Sequence, residues 1–382
     1  MSQQPVVIIG SGLAGYTVAR EFRKLDAETP VMMLSQDHGG FYSKPMLSNA
    51  LVQKKSADAL LMKDAAQMAA DIKIEIRSAA KVSTIDPVHK QLTVNGQAMS
   101  YSKLVLALGA DPIRLPLQGD GADSVLSVND LDDYRRFRAA IEGKQVIAIL
   151  GAGLIGCEFA NDLSRAGYKV EVIDLAPQVL GRLLPPESAV FMQRKLEEEG
   201  IKFHLGTTTQ TVDHAGARFS LALANGEKLE ADVVLSAVGL KPRIELAAAA
   251  GITVKRGIVV NNLLQTNFED IYALGDCAEV EGQVLPFVMP IMQAARALAP
   301  TLAGSPTQVH YPAMPVAVKT PACTTVVCPP AMGALGAWRI DASMDGIKAT
   351  FHHTAGQLLG FALVGAAVSE KTALTQQLPN KS

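Results

Sequence analysis

The chain carries almost no charge imbalance: 35 lysines and arginines stand against 37 aspartates and glutamates over 382 residues. A nucleic-acid partner would need a strongly basic face to neutralise phosphates, so the composition argues against one. Cysteine is scarce as well. There are four, Cys157, Cys277, Cys323 and Cys328. Only the last two lie close together, so there is no disulfide scaffold. His38, His352 and His353 stand in no metal-ligand spacing with them, and no metal is expected. Long apolar runs are missing too. The longest late one, Leu358–Val368, is too short to cross a bilayer. No positively charged region precedes the short run Val6–Ile9, which ends in a glycine turn and reads as a strand rather than a signal peptide. Repeats and low-complexity linkers are absent. The expectation is a soluble, cytoplasmic protein.

What the chain does have is apolar residues, at 48%, and a length that calls for two or three domains. It also has glycine in a particular place. "VVIIGSGLAG" sets Gly10, Gly12 and Gly15 after one apolar strand and before a helix that starts at Leu13 and Ala14. A second strand, "VMML", follows. This βαβ context gives the spacing its meaning. Gly10 permits the tight turn, Gly12 lets backbone approach a pyrophosphate, and Gly15 lets helix and strand pack closely. The helix N-terminus then offers free N–H groups to the anion. The second strand of the unit ends in Ser35, Gln36 and Asp37, so no acid stands in register for a ribose. A hydroxyl, an amide or the late Asp37 must serve, and the residues do not decide between them.

A second such unit follows. "VIAILGAGLIG" sets Gly151, Gly153 and Gly156 in the same arrangement, and the strand "KVEVID" ends at Asp174, about 20 residues on. A carboxylate there would accept hydrogen bonds from a ribose and repel a 2′-phosphate, which favours NADH over NADPH. Asp174 also reads as a plain strand-end acid. Two such units suggest two dinucleotides, one a tightly held flavin and the other an exchangeable nicotinamide.

Three further stretches carry a resemblance. "LVLALGADP" (Leu104–Pro112), with Ala107-Leu108-Gly109 where Ala-Thr-Gly is usual, resembles the return to the first domain in two-dinucleotide flavoenzymes. "VVLSAVGLKPR" (Val233–Arg243), with Gly239, resembles the exit from the second domain. "TNFEDIYALGDCA" (Thr266–Ala278) resembles the second flavin motif. In order, the five motifs match the pyridine nucleotide-disulfide oxidoreductase superfamily. That resemblance implies FAD and NADH as cofactors, and implies that Asp276 accepts a hydrogen bond from the ribityl chain.

The glutathione reductase branch carries Cys-x4-Cys near the first flavin motif, whereas Gly39–Leu51 here has no cysteine. Cys323 and Cys328 share that spacing but lie in a strand-like segment, on opposite faces by alternation. Electrons must then leave the flavin directly. "YSKPMLS" (Tyr42–Ser48), with Lys44, resembles the matching segment of ferredoxin reductases for oxygenases. With Leu285–Gly304 and Tyr311–Cys323 it is similar to the bacterial NADH:rubredoxin reductases. The resemblance implies hydride transfer from NADH to flavin, then single electrons to rubredoxin, a small acidic iron–sulfur carrier, and so to a consumer such as an alkane hydroxylase. Lys44, Lys54 and Lys55 are candidates for a basic docking patch. The alternatives are flavorubredoxin or ferredoxin as acceptor, or a redox-sensing interaction protein that changes its assembly with NADH.

The same resemblance places Glu158 beside flavin and nicotinamide, with Lys44 pairing it near flavin N5. Glu158 also reads as an exposed acid complementing a helix dipole. Lys319, in the apolar "MPVAVKTP", is a candidate for the charge gathering at the flavin, or an edge lysine. A helix over Pro290–Ala299, with Pro at N1, would aim its N-terminus at the pyrimidine edge of the flavin. Val288 and Val82 would touch the flavin nucleotide through their backbones.

The expected fold is α/β, with two Rossmann-like dinucleotide-binding domains and a small α+β C-terminal domain. Residues 1–112 and 240–310 read as the FAD domain, 113–239 as the NAD domain and 311–382 as the C-terminal domain. In the last, "GIKATFHH" and "GQLLGFALVG" alternate as an antiparallel pair, Trp338 reads as core, and the polar "TQQLPNKS" reads as a mobile tail.

Overall fold

The computed structural model describes residues 4–331 and 333–379; the last three residues of the expected mobile tail lie outside the described residues. Two parallel sheets organise the chain. The first runs, in spatial order, Ile271–Ala273, Lys103–Leu106, Val6–Ile9, Val31–Leu34, Glu75–Arg77. Val6–Ile9 is buried at every position, as a central parallel strand covered on both faces must be. It lies between the strand that follows it and one that returns much later. The strand order therefore reverses beside it, and a crevice opens past its C-terminal end, where Gly10 sits. The helix Leu13–Leu25 packs back on the sheet through Tyr16, Val18 and Phe22.

The second sheet repeats the plan: Ile201–Leu205, Lys169–Asp174, Val146–Leu150, Val233–Ser236, all parallel. Its reversal lies beside Val146–Leu150, which runs into Gly151. Each parallel sheet is accompanied by a three-stranded antiparallel sheet, Val82–Asp86 with Gln91–Val94 and Gln97–Ser100 in one case and Thr209–Ala215 with Arg218–Leu223 and Lys228–Ala231 in the other. The two chain crossings between the units pair with each other, Ala110–Pro112 antiparallel to Leu240–Pro242.

The C-terminal part is a five-stranded antiparallel sheet ordered Val316–Val318, Thr325–Cys328, Leu358–Gly365, Gly346–His352, Ala337–Ala342. The expected antiparallel pair is its centre. One face shares a core with the helix Pro186–Glu198: Val327, Ile347 and Ala362 join Met192 and Leu196. The other face is closed by Leu374, from a short terminal helix, on Val326, Cys328 and Phe361. A unit this small buries too little on its own and gains its core by leaning on the second unit.

Several expectations need correction here. Trp338 lies on the edge strand and is only half-buried, stacked edge-on to Phe351 at 5.4 Å, because an edge strand has a neighbour on one side alone. The polar tail is helical as far as Gln377. The helix expected from Pro290 begins at Val288, so Pro290 is its third residue; a helix's first turn has no internal partners for its N–H groups, and proline is tolerated throughout it. Among the described residues, no helix is long and apolar enough to cross a membrane.

Candidate active site

The two glycine turns are built to the same steric rule. A Cβ on Gly15 would lie 1.9 Å from the Gly10 carbonyl oxygen, and one on Gly156 would lie 1.9 Å from that of Gly151. No side chain fits at either position. Gly10 and Gly151 hold φ of +114° and +111°, a region side chains avoid. Gly10 also presses on Ala107, whose carbonyl oxygen would lie 2.1 Å from a Cβ. A Cβ on Gly12 or Gly153, by contrast, would meet nothing within 4 Å. Each is the N-cap of the helix that follows, with no side-chain cap and no acid in the first turn. Open space, unmet N–H donors and the positive end of the dipole are what a pyrophosphate requires. The residues present fit two dinucleotides.

The strand ends beside the turns differ. Asp174 accepts a hydrogen bond from the Ala152 amide of its own turn and another, at 2.7 Å, from Ala176. In the first unit the Ser11 and Ser35 hydroxyls meet at 2.6 Å, and Ser35 donates to Asp37. Asp37 also accepts from the Gly39 amide at 2.8 Å. Asp37 thus reaches the first turn despite its late position, while Gln36 is exposed. Val82 begins a strand next to Ala80, whose amide donates to the Ser35 carbonyl at 2.8 Å.

Asp276 follows Ile271–Ala273 in a one-turn 3₁₀ helix, and a Cβ on Gly275 would lie 2.9 Å from Ala14. The second flavin-like motif therefore abuts the start of the first helix. Burial raises the Asp276 carboxyl above its ordinary range, and the charge of Lys44 opposes that rise. Burial in turn lowers the Lys44 ammonium, with Asp276 acting against it. Lys44 and Asp276 are therefore near enough for each charge to act on the other. Val288, partly exposed, opens the helix Val288–Leu302, whose N-cap residue Phe287 supplies no side-chain cap. Gly239 lies at the crossing, its carbonyl accepting from the Ile113 amide at 3.0 Å. Lys54 is exposed and Lys55 half-buried.

Glu158 corrects two expectations. It is only 1% exposed, so it is no surface acid. Nor does it pair with Lys44. Its Oε2 ion-pairs with Lys319 and accepts from the Ser48 hydroxyl at 2.6 Å, while Oε1 accepts from the Lys319 amide at 2.9 Å. Lys319 also donates to Ser48 at 3.1 Å. It lies just past the edge strand Val316–Val318, and 28% of its side chain stays exposed. Burying a carboxylate is costly unless its oxygens are paired and hydrogen-bonded, and these contacts meet that demand.

The same helix, Leu154–Arg165, bears two further polar residues that the sequence reading missed. The Asn161 side-chain oxygen accepts from the Ala322 amide at 3.3 Å. Both Asp162 oxygens are used, from the Leu51 amide at 2.8 Å and the Val52 amide at 3.1 Å. Glu158, Asn161 and Asp162 share one helical face by their spacing. Three polar groups on the buried side of a crossover helix were the available signal. That face joins all three parts of the chain.

Comparison with known proteins agrees with this geometry. Residues 4–301 match the pyridine nucleotide-disulphide oxidoreductase family, and the chain belongs to that family. Residues 308–378 match a rubredoxin binding C-terminal domain. The chain is 50% identical over 376 residues to a rubredoxin-NAD(+) reductase of Alcanivorax borkumensis, covering 98% of each. It is 51% identical over 385 residues to the rubredoxin-NAD(+) reductase of Acinetobacter baylyi, again covering 98% of each. Among solved structures, the ferredoxin reductase for the CYP199A2 system of Rhodopseudomonas palustris superposes with a TM-score of 0.89, at 27% identity, over 98% of this chain and 95% of that one.

Proposed function

We propose that this chain is an NADH:rubredoxin oxidoreductase that uses FAD. The observation that carries the reading is the union, in one chain, of two open glycine turns with a C-terminal part matching a rubredoxin-binding domain. When bound, FAD takes two electrons from NADH as a hydride and releases them one at a time, which suits a one-electron carrier.

In this reading the protein's own residues bind, orient and tune. Gly10, Gly12, Leu13, Ala14 and Gly15 cradle the FAD pyrophosphate, and Ala107 backs the turn. Ser35 and its neighbours, with Gln36 at the rim, take the adenosine ribose, and Val82 lines the adenine through its backbone. Asp276 holds the ribityl chain. Gly151, Gly153 and Gly156 receive NADH, Asp174 its ribose, and Gly239 permits the crossing between the units. The helix opening at Val288 offers its free amides to negative charge. Lys44 supplies a cation to the cleft. Glu158 and Lys319, locked to each other and to Ser48, fix the joint at which the three parts meet. Positioning of this kind brings reacting atoms to about 3–3.5 Å. The division into an FAD domain (1–112 and 240–310), a NAD domain (113–239) and a C-terminal domain (311–382) belongs to the same reading. A cytoplasmic chain drawing on the NADH pool there, with an alkane hydroxylase as one consumer of reduced rubredoxin, belongs to the same reading.

The test is steady-state turnover of the purified yellow protein with NADH and, separately, rubredoxin, flavorubredoxin and ferredoxin. Preference for rubredoxin supports the reading. Preference for either of the others changes the partner. Slow turnover with all three, together with an NADH-dependent change in oligomer size, would replace the enzyme with a redox sensor.

A further inference from the structure

The buried carboxylate of Asp162 has no part in the mechanism above. Asp162 is 7% exposed and lies one helical turn beyond Glu158. Burial raises its carboxyl, and hydrogen bonds from the Val52 and Leu51 amides oppose that rise. Two amides on neighbouring residues need two acceptors side by side, and a carboxylate is the side chain that offers them. The loop they belong to directly follows the two-turn 3₁₀ helix Lys44–Asn49. That helix is anchored at one further point, Ser48 on Glu158. The loop's far end is held as well: the Lys55 carbonyl accepts from Arg138 at 2.8 Å and from the Tyr134 hydroxyl at 3.3 Å. Leu47 and Ala50 are buried against Leu131 and Tyr134. The segment bearing Lys44 is thus fastened to the second unit along its length, and Asp162 alone holds two of its backbone amides.

We infer that Asp162 is a positioning residue, setting Lys44 in the cleft opposite Asp276 by clamping the Leu51 and Val52 amides. This rests on the proposed function, in which that cleft holds the flavin. The clamp joins the unit that receives NADH to the segment that faces the flavin. Its loss should therefore misplace Lys44 relative to both reacting rings and leave the two glycine turns intact.

The test is single-turnover reduction of the FAD-loaded protein by NADH without oxygen. Wild type is measured first; if NADH does not reduce its flavin, the proposed function fails and takes this inference with it. Asp162→Asn keeps the size of the side chain but turns an NH2 group toward one of the two donors. Reduction should slow by roughly tenfold to a hundredfold, the scale expected when a reacting geometry shifts by about 1 Å. The long-wavelength absorbance of the NADH–flavin pair should weaken, while retention of FAD stays as in wild type. Lys44→Met should slow reduction as well, and the double variant should be no slower than Lys44→Met alone, since both act through one group. If Asp162→Asn does not fold, Val52→Pro removes one donor and leaves the carboxylate; it must show the same slowing. A wild-type rate and spectrum in the variant that folds, or losses that multiply in the double variant, would overturn the inference while leaving the proposed function in place.

Discussion

The two glycine turns are sterically alike, but their strand-end acids serve different structures. In the second unit Asp174 bonds the amide of Ala152 in the turn and that of Ala176 just beyond its own strand, and the Ala152 carbonyl accepts from the Leu180 amide. In the first, Asp37 reaches the turn through Ser35 and Ser11 and also holds the Gly39 amide. Gly39 is held a second time, its carbonyl accepting from the buried Tyr16 hydroxyl. The loop through Gly39 leads directly to Lys44. Both turns are therefore tied to the segment that bears Lys44, the first through the loop that runs on from Gly39 and the second through its own helix, whose Glu158 and Asp162 hold Ser48, Leu51 and Val52. Glycine spacing sets where a pyrophosphate sits; the polar groups that follow it decide how the turn is wired to the rest of the site.

The largest effects should come from the glycines both turns share. Gly15→Ala and Gly156→Ala force a Cβ within 1.9 Å of a carbonyl oxygen, and each should cost about 3 kcal/mol or more of unfolding free energy in urea titrations. Gly12→Ala and Gly153→Ala meet no atom and should unfold as cofactor-free wild type does when compared without cofactor. They should separate the turns instead: the first should lose FAD on gel filtration, the second should raise the KM for NADH. If both lost FAD, the two turns would not hold different cofactors.

Asp276→Ala removes a half-buried charged acceptor and should weaken FAD binding by about 2 kcal/mol, read by fluorescence of released flavin; full retention would refute the ribityl contact. Asp174→Arg should raise the KM for NADH about tenfold and shift preference toward NADPH. It should also loosen the second turn, because the Ala152 amide loses its acceptor. Unchanged selectivity would reduce Asp174 to a turn anchor. Lys44 gives a pH signature that belongs to the first unit. Burial lowers its folded-state pKa, so its proton leaves at lower pH than from a free lysine. Flavin reduction should decline on the alkaline side, below the ordinary lysine range, and Lys44→Met should flatten that limb. The linked stability has the matching sign: it rises with pH between the folded-state pKa and the ordinary lysine value of 10.5, where the unfolded chain holds the extra proton. The smallest effect lies outside both turns. Cys323 and Cys328 are buried on opposite faces of the C-terminal sheet. Replacing both with alanine should leave turnover unchanged in stopped-flow and cost about 1 kcal/mol of stability.

The nucleotide units were legible because their signals are local. Four-residue apolar strands, glycines at fixed offsets and the start of the helix at Leu13 can all be read within one βαβ stretch. The joint between the units was not. Ser48 and Glu158 are 110 residues apart, and Lys319 and Glu158 are 161 apart. Nothing in the sequence ranks Lys319 above Lys44 as the partner of Glu158. The structure selects Lys319 because the C-terminal sheet leans on the second unit and carries the lysine over the helix face bearing Glu158. Asp162 and Asn161 were missed for the same reason. Their partners are backbone amides, which exist at almost every residue and mark no position in a sequence.

The most direct measurement is double-mixing stopped-flow without oxygen. NADH first reduces the FAD-loaded protein, which then meets oxidised rubredoxin, with ferredoxin and oxygen as separate acceptors. If the two turns serve one relay, rubredoxin should reoxidise the flavin at least as fast as steady-state turnover, and the other two should lag well behind. Flavin that NADH reduces promptly but rubredoxin reoxidises more slowly than turnover, or no faster than oxygen does, would contradict it.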